Sequence, residues 1–161
     1  MPQLSVLADP RPAFAGQRAY PMKRYIDSNT RFVAQVGGIS FGRLCVRAGD
    51  QTVRLPTAGA DFAAGTEFGF AVRQEFQEFN GQGYADGEPI TVMHVGYIWV
   101  EVEAAVTSGA PVFIRTGAGA GGTALGAVRG DADGGTATAL PGGRFDTGTL
   151  GAGLAIVRLG D

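Results

Sequence analysis

Few side chains in this sequence could do chemistry. It has one histidine, His94, and one cysteine, Cys45. A thiol nucleophile needs a base to take its proton, so Cys45 and His94 are the single candidate pair. Both sit in apolar runs, GRLCVR and ITVMHVGY. A buried small residue and a structural or interfacial histidine are expected there. Zinc sites draw on several His, Cys or carboxylate ligands, which one of each does not supply. DADGG (131–135) begins like a calcium loop, but the twelfth position of such a loop is Gly142 rather than Glu, so a β-hairpin turn is expected. GAGAGG (117–122) satisfies G-x-G-x-x-G, yet the following TALGAVRG is strand-like rather than helical. A long hairpin loop is therefore expected in place of a phosphate cradle. Glu101 and Glu103 would stand about 7 Å apart on one strand face, a spacing open to paired glycosidase carboxylates. Alternating with aliphatic residues, they read instead as a solvated face. Tyr97 and Trp99 share that face, where they could stack on a sugar or pack under another segment or a neighbouring subunit; an oligomer or partner interface is the expectation. No catalytic residue, metal or cofactor is expected, and the chain does not read as an enzyme.

The elements that would position these residues are strands. The chain has 161 residues, 27 of them glycine, and 45 % hydrophobic residues. That length supports one ordinary core, and short β-branched runs between glycines indicate an all-β class. Candidate strands are ISFGRLCVR (39–47), interrupted at Gly42, then QTVRL and EFGFAV, and the pair PITVMHV (89–95) and YIWVEVE (97–103) separated by Gly96. Further candidates are PVFIRT (111–116), ALGAVRG, TATAL and LAIVRL. In YIWVEVE, Ile98, Val100 and Val102 form the core face. RQEFQEF carries helix formers before the turn NGQG, and PTAGADFAAGT is a loop with room for one helical turn. Turns recurring this often predict a sandwich or barrel.

YADGEPITV (84–92) returns in altered form as VTSGAPVFI (106–114). In each, Gly frees the backbone for a turn and Pro opens a strand, where its missing N–H costs no ladder bond. No histidine, nucleophile or carboxylate pair recurs with the pattern, so it reads as a way into a strand used twice.

Residues 1–36 differ from the rest. They hold four of the eight prolines and five basic residues against two acidic ones, in a chain of net charge −2. Proline disfavours helix interiors and central strands, and the large side chains Phe14, Tyr20, Met22 and Tyr25 are spaced between the prolines. An extended N-terminal arm (1–36) on a body (37–161) is expected, the basic arm suiting an acidic partner surface. The net charge gives no reason to expect nucleic acid. No apolar run approaches the length of a membrane span, and MPQLSVLADP does not read as a signal peptide.

RPAFAGQRA, FGRLCVR, FGFAVR, GYADGEPITVMHVGYIWVEVE, AVTSGAPVFIR and GLAIVRL follow one another over roughly residues 10–159. In this order they resemble the structural cement (capsid decoration) proteins of tailed bacteriophages. The resemblance implies a β-sandwich or jelly-roll-like body, a homodimer or homotrimer on the outer capsid surface, and contact with the major capsid protein. It also implies synthesis in the bacterial host cytoplasm. An arm of this kind would dock through Phe14, Tyr20 and Tyr25 as apolar anchors, with Arg18 and Arg24 pairing with capsid carboxylates. The alternative is a carbohydrate-binding β-sandwich of a phage tail or receptor-binding apparatus, using Tyr97, Trp99 and the adjacent glutamates.

Overall fold

The computed structural model describes residues 13–20, 23–74 and 82–160. Expectations for the first twelve residues, for Pro21 and Met22, and for the end of RQEFQEF lie outside them. The described residues form eleven strands: β1 (Ile26–Val33), β2 (Ile39–Ser40), β3 (Leu44–Arg47), β4 (Thr52–Arg54), β5 (Phe68–Ala71), β6 (Gly83–Tyr84), β7 (Pro89–Val102), β8 (Pro111–Arg115), β9 (Val128–Arg129), β10 (Ala137–Phe145) and β11 (Gly153–Leu159). Helix is confined among them to two 3-10 turns, Gly59–Phe62 and Asp133–Gly135. The all-β class expected from the sequence is what the chain adopts.

Strand pairing closes on itself twice. β1, β4, β3, β5 and β7 pair in that order, and β1 returns to pair with β7. β7, β11, β10, β8 and β9 do the same, β9 returning to β7. The first half of β7 serves the first ring, through β1 and β5, and the second half serves the other, through β11 and β9. PITVMHV and YIWVEVE are therefore one strand of 14 residues. Gly96 does not end it; φ there is +142°, and the absent side chain makes room for the Tyr25 ring, whose Cδ1 would lie 2.3 Å from a Cβ at that position.

Two cores result. Val33, Val53, Cys45, Ala71, Ile90 and Val92, at least one from each strand of the first ring, fill its interior, with Ile39, Phe41 and Tyr84 closing the cluster. Leu44, Val46, Phe70 and Met93 join Ile98, Val100, Val112, Ile114 and Val157 of the second ring in a core shared between the two rings. Successive side chains of a strand point to opposite faces. Leu44, Cys45 and Val46 thus enter different cores and are all buried, which explains why that run has no polar alternation. The Cys45 thiol lies 3.4 Å from the Gly69 carbonyl, and burial pushes its pKa up to about 12. Only a thiolate reacts readily. A water-soluble aromatic disulfide should leave Cys45 unmodified in the native protein and titrate it once denaturant is added; prompt native labelling would mean that the first ring opens.

The sequence-based boundaries shift in other places too, each for a local reason. Residues 26–33, expected within the arm, form β1; all four of the arm's prolines precede this stretch, so nothing removes ladder donors from it. ISFGRLCVR splits into β2 and β3, which belong to different sheets, around a turn closed by the Arg43 N–H on the Ser40 carbonyl. β10 runs past TATAL through Pro141 to Phe145, and its register against β8 shifts between Ala139 and Arg144, an irregularity where proline is tolerated. DADGG is not a hairpin turn, because β9 and β10 lie on either side of β8 and do not pair with each other. The repeated pattern behaves as expected. Pro89 and Pro111 open β7 and β8, φ is +81° at Gly87 and +82° at Gly109, and the N–H of Glu88 and of Ala110 closes each turn at 3.1 Å.

Candidate functional site

The N-terminal segment lies along β7 and is held by backbone and aromatic groups. Gly16 and Ala19 donate to the carbonyls of Trp99 and Tyr97 at 2.8 and 2.9 Å, and the Trp99 N–H donates to Gln17. The Tyr20 ring meets Tyr97 edge-on at 5.2 Å, an arrangement that suits the ring quadrupoles. The Tyr20 hydroxyl donates to Asp146 at 2.6 Å; that bond, then burial, raises the pKa of Tyr20. The Tyr25 hydroxyl donates to the Tyr20 carbonyl at 2.8 Å. Lys23 stands over the Tyr97 ring at 5.7 Å and Arg73 over Phe14 at 4.7 Å. Arg18 pairs with Asp27 and lies over the Tyr25 ring. Phe14 and Arg24 are exposed, while Tyr20, Tyr25, Tyr97 and Trp99 are half-buried. The structure therefore brings Arg18, Tyr20, Tyr25 and Tyr97 into one patch, ties Trp99 to the segment through its backbone, sets Phe14 against Arg73 and leaves Arg24 exposed.

The residues screened for chemistry are occupied structurally. His94 Nδ1 donates to the Phe68 carbonyl at 2.8 Å and its Nε2 faces Glu67 at 3.3 Å, so it is not placed as a base for Cys45. Glu101 is exposed, whereas Glu103 enters a buried ion network. Arg115, with 0 % of its side chain exposed, holds Glu103 at 2.7 Å and Asp133 at 2.8 Å. Arg129 reaches Glu103 and Asp131. The bonds to Glu103 outweigh burial in raising the pKa of Arg115, and the Arg115 bond, then the Gly121 N–H, lowers that of Asp133. GAGAGG, the loop of the β8–β9 hairpin, closes over these groups; a Cβ at Gly121 would lie 2.4 Å from Arg129 Nη1 and one at Gly122 2.5 Å from Glu103 Oε1. Its glycines pack around guanidinium groups, a use that a phosphate-loop pattern does not reveal. Among the described residues no cluster of three or more His, Cys, Asp or Glu could hold a metal ion, and no helix is long and apolar enough to cross a membrane.

Two features escaped the sequence reading. Val36 and Leu150 are 90 % and 104 % exposed. Val36 lies in the loop after β1, whose Gln35 N–H donates to Asp86 just before β7; Leu150 follows Thr149, which is bridged to Val106 just after β7. They thus stand near opposite ends of β7. The second feature is a surface arginine pair, Arg144 and Arg158, that face each other across β10 and β11. Apolar residues inside glycine-rich loops read as ordinary loop composition, and the arginine pair needs the strand register, so no local signal marked either.

This all-β chain shares its fold with a chain of known structure. A chain of the solved structure "The capsid of Myoviridae Phage XM1" is similar to it with a TM-score of 0.71 and 20 % sequence identity, over 98 % of this chain and 96 % of the other. The family model described as Structural cement protein (E217 gp24/Pam3 gp6) matches residues 2–160. The chain belongs to that family of phage structural cement proteins. No curated protein matches it.

Proposed function

We propose that this chain binds the outer surface of the assembled phage head and bridges neighbouring major capsid protein subunits. The observation that carries this reading is the cement-family match over residues 2–160. The two exposed apolar side chains near opposite ends of β7 favour bridging in particular. Fourteen strand residues span at most about 45 Å, so the two loops can touch separate subunits. A protein that binds only the assembled lattice stabilises that state by mass action. Association as a homodimer or homotrimer would add avidity. The N-terminal segment contributes Phe14 and Arg24 to the contact, while Tyr20, Tyr25 and Arg18 set its path over Tyr97 and Trp99. The chain is made in the host cytoplasm and works through contact area, without catalysis.

Heads assembled without this chain supply the test. Added protein should occupy their outer surface at subunit boundaries, visible by imaging, and should raise the temperature at which heads open. Absence of external density would overturn the reading. V36D and L150D should each lower occupancy several-fold. Both residues are surface positions, so stability should change by no more than about 0.5 kcal/mol, as thermal unfolding of the free protein would show. Unchanged occupancy in both variants would remove the two-ended contact.

A further inference from the structure

We infer that Arg144 and Arg158 form a carboxylate-binding cleft that takes an acidic side chain of the capsid surface; this rests on the proposed cementing role. The two residues are direct partners in the β10–β11 register, so their side chains share a face. Like charges placed directly opposite are unfavourable. In this chain Arg18, Arg31, Arg47, Arg54, Arg115 and Arg129 each hold a carboxylate of their own. Arg144 and Arg158, like Arg24 and Arg43, make no ion pair with any described residue, but they alone of these four are cross-strand partners. They line an open cleft of about 300 Å³ with Ser108, Gly109, Phe145 and Asp146. Asp146 is the one carboxylate there; it accepts the Tyr20 hydroxyl at 2.6 Å and pairs with neither arginine.

The cleft also continues the patch around the N-terminal segment. Arg158 is in register with Tyr97 on β7, giving a row Arg144–Arg158–Tyr97 across the sheet, with Lys23 over the Tyr97 ring. Tyr20, bonded to Asp146, joins the segment to the cleft wall. Two guanidinium forks side by side offer planar donors that match a carboxylate. A partner carboxylate seated there would neutralise the repulsion that the free protein carries. An acidic protein surface is favoured over free phosphate because the cleft adjoins an aromatic patch of the kind enriched in protein interfaces.

The double variant R144E/R158E of the full chain should bind chain-free heads at least tenfold more weakly than wild type, with R144K/R158K retaining most of the binding. R144Q and R158Q alone should each raise the melting temperature of the free protein slightly, through relief of the cross-strand repulsion. Equal binding by wild type and R144E/R158E overturns the inference while leaving cementing intact. A wild-type chain that does not bind heads defeats the cementing role, and a direct titration then decides the cleft by itself. Hexaglutamate peptide should shift the arginine Nε–H resonances of Arg144 and Arg158 in the free protein. No shift, or a shift with inorganic phosphate alone, overturns the assignment of a protein carboxylate.

Discussion

Replacing Arg115 with alanine should destabilise the protein by about 3–5 kcal/mol, the cost of breaking a buried ion pair from one side. Glu103 and Asp133 would lose their hydrogen bonds to a guanidinium that has no exposed surface, and the GAGAGG loop would lose the group it closes around. R115K should fall between wild type and R115A, because an ammonium keeps the charge without the planar fork. Chemical denaturation of the three proteins measures this; an R115A loss below 1 kcal/mol would show that water reaches the network. The pH dependence has a fixed sign. The pKa of Asp133 is lowered by its bond to Arg115, so its contribution is present above the ordinary aspartate value of about 3.9. It is lost as pH falls through the lower folded value. D133N should remove that part of the acid sensitivity and should be less stable than wild type near neutrality.

The second large effect concerns the N-terminus. Removing residues 1–36 should prevent the first ring from folding, whereas removing residues 1–20 should leave the strand framework in place. The longer deletion takes away β1, which pairs with both β4 and β7, and it removes Val33 from the interior of that ring. It would expose the flanks of two strands whose N–H and C=O groups then have no partners. The shorter deletion removes the segment laid along β7 but spares every named strand. Hydrogen exchange on the two truncated chains separates these outcomes. Slow exchange in β4 and the first half of β7 in the longer deletion would mean that β1 is dispensable. A head-binding assay on residues 21–161 then reports on the segment's adhesive role without the confusion of unfolding.

Much of this architecture was legible because it rests on local chemistry. Gly87–x–Pro89 and Gly109–x–Pro111 marked the starts of β7 and β8, and the alternation in YIWVEVE assigned Ile98, Val100 and Val102 to the core, where they are buried. Other features depend on contacts distant in sequence. β1 carries little hydrophobic alternation, and five of its eight residues are exposed; it is a strand because β4 and β7 pair with it. Gly96 looks like a strand terminus until the ring of Tyr25, 71 positions earlier, is seen lying across it. Glu103 alternates like a surface residue, yet it is a ligand for two arginines that follow it in the chain. The aromatic members of the candidate patch were recognisable by type. That Tyr20 and Tyr25 meet Tyr97 within one chain follows only from the path of the segment over β7.

β7 also determines how the molecule would respond to tension. Its ladder bonds run perpendicular to the strand, toward β1 and β5 over one half and toward β11 over the other. A pull between the loops near its two ends would act along its length, so those bonds would be sheared together instead of being peeled apart one by one. Under the proposed two-ended contact, the shared strand would best resist a pull along the line joining the two loops, the line along which two subunits held by them would separate.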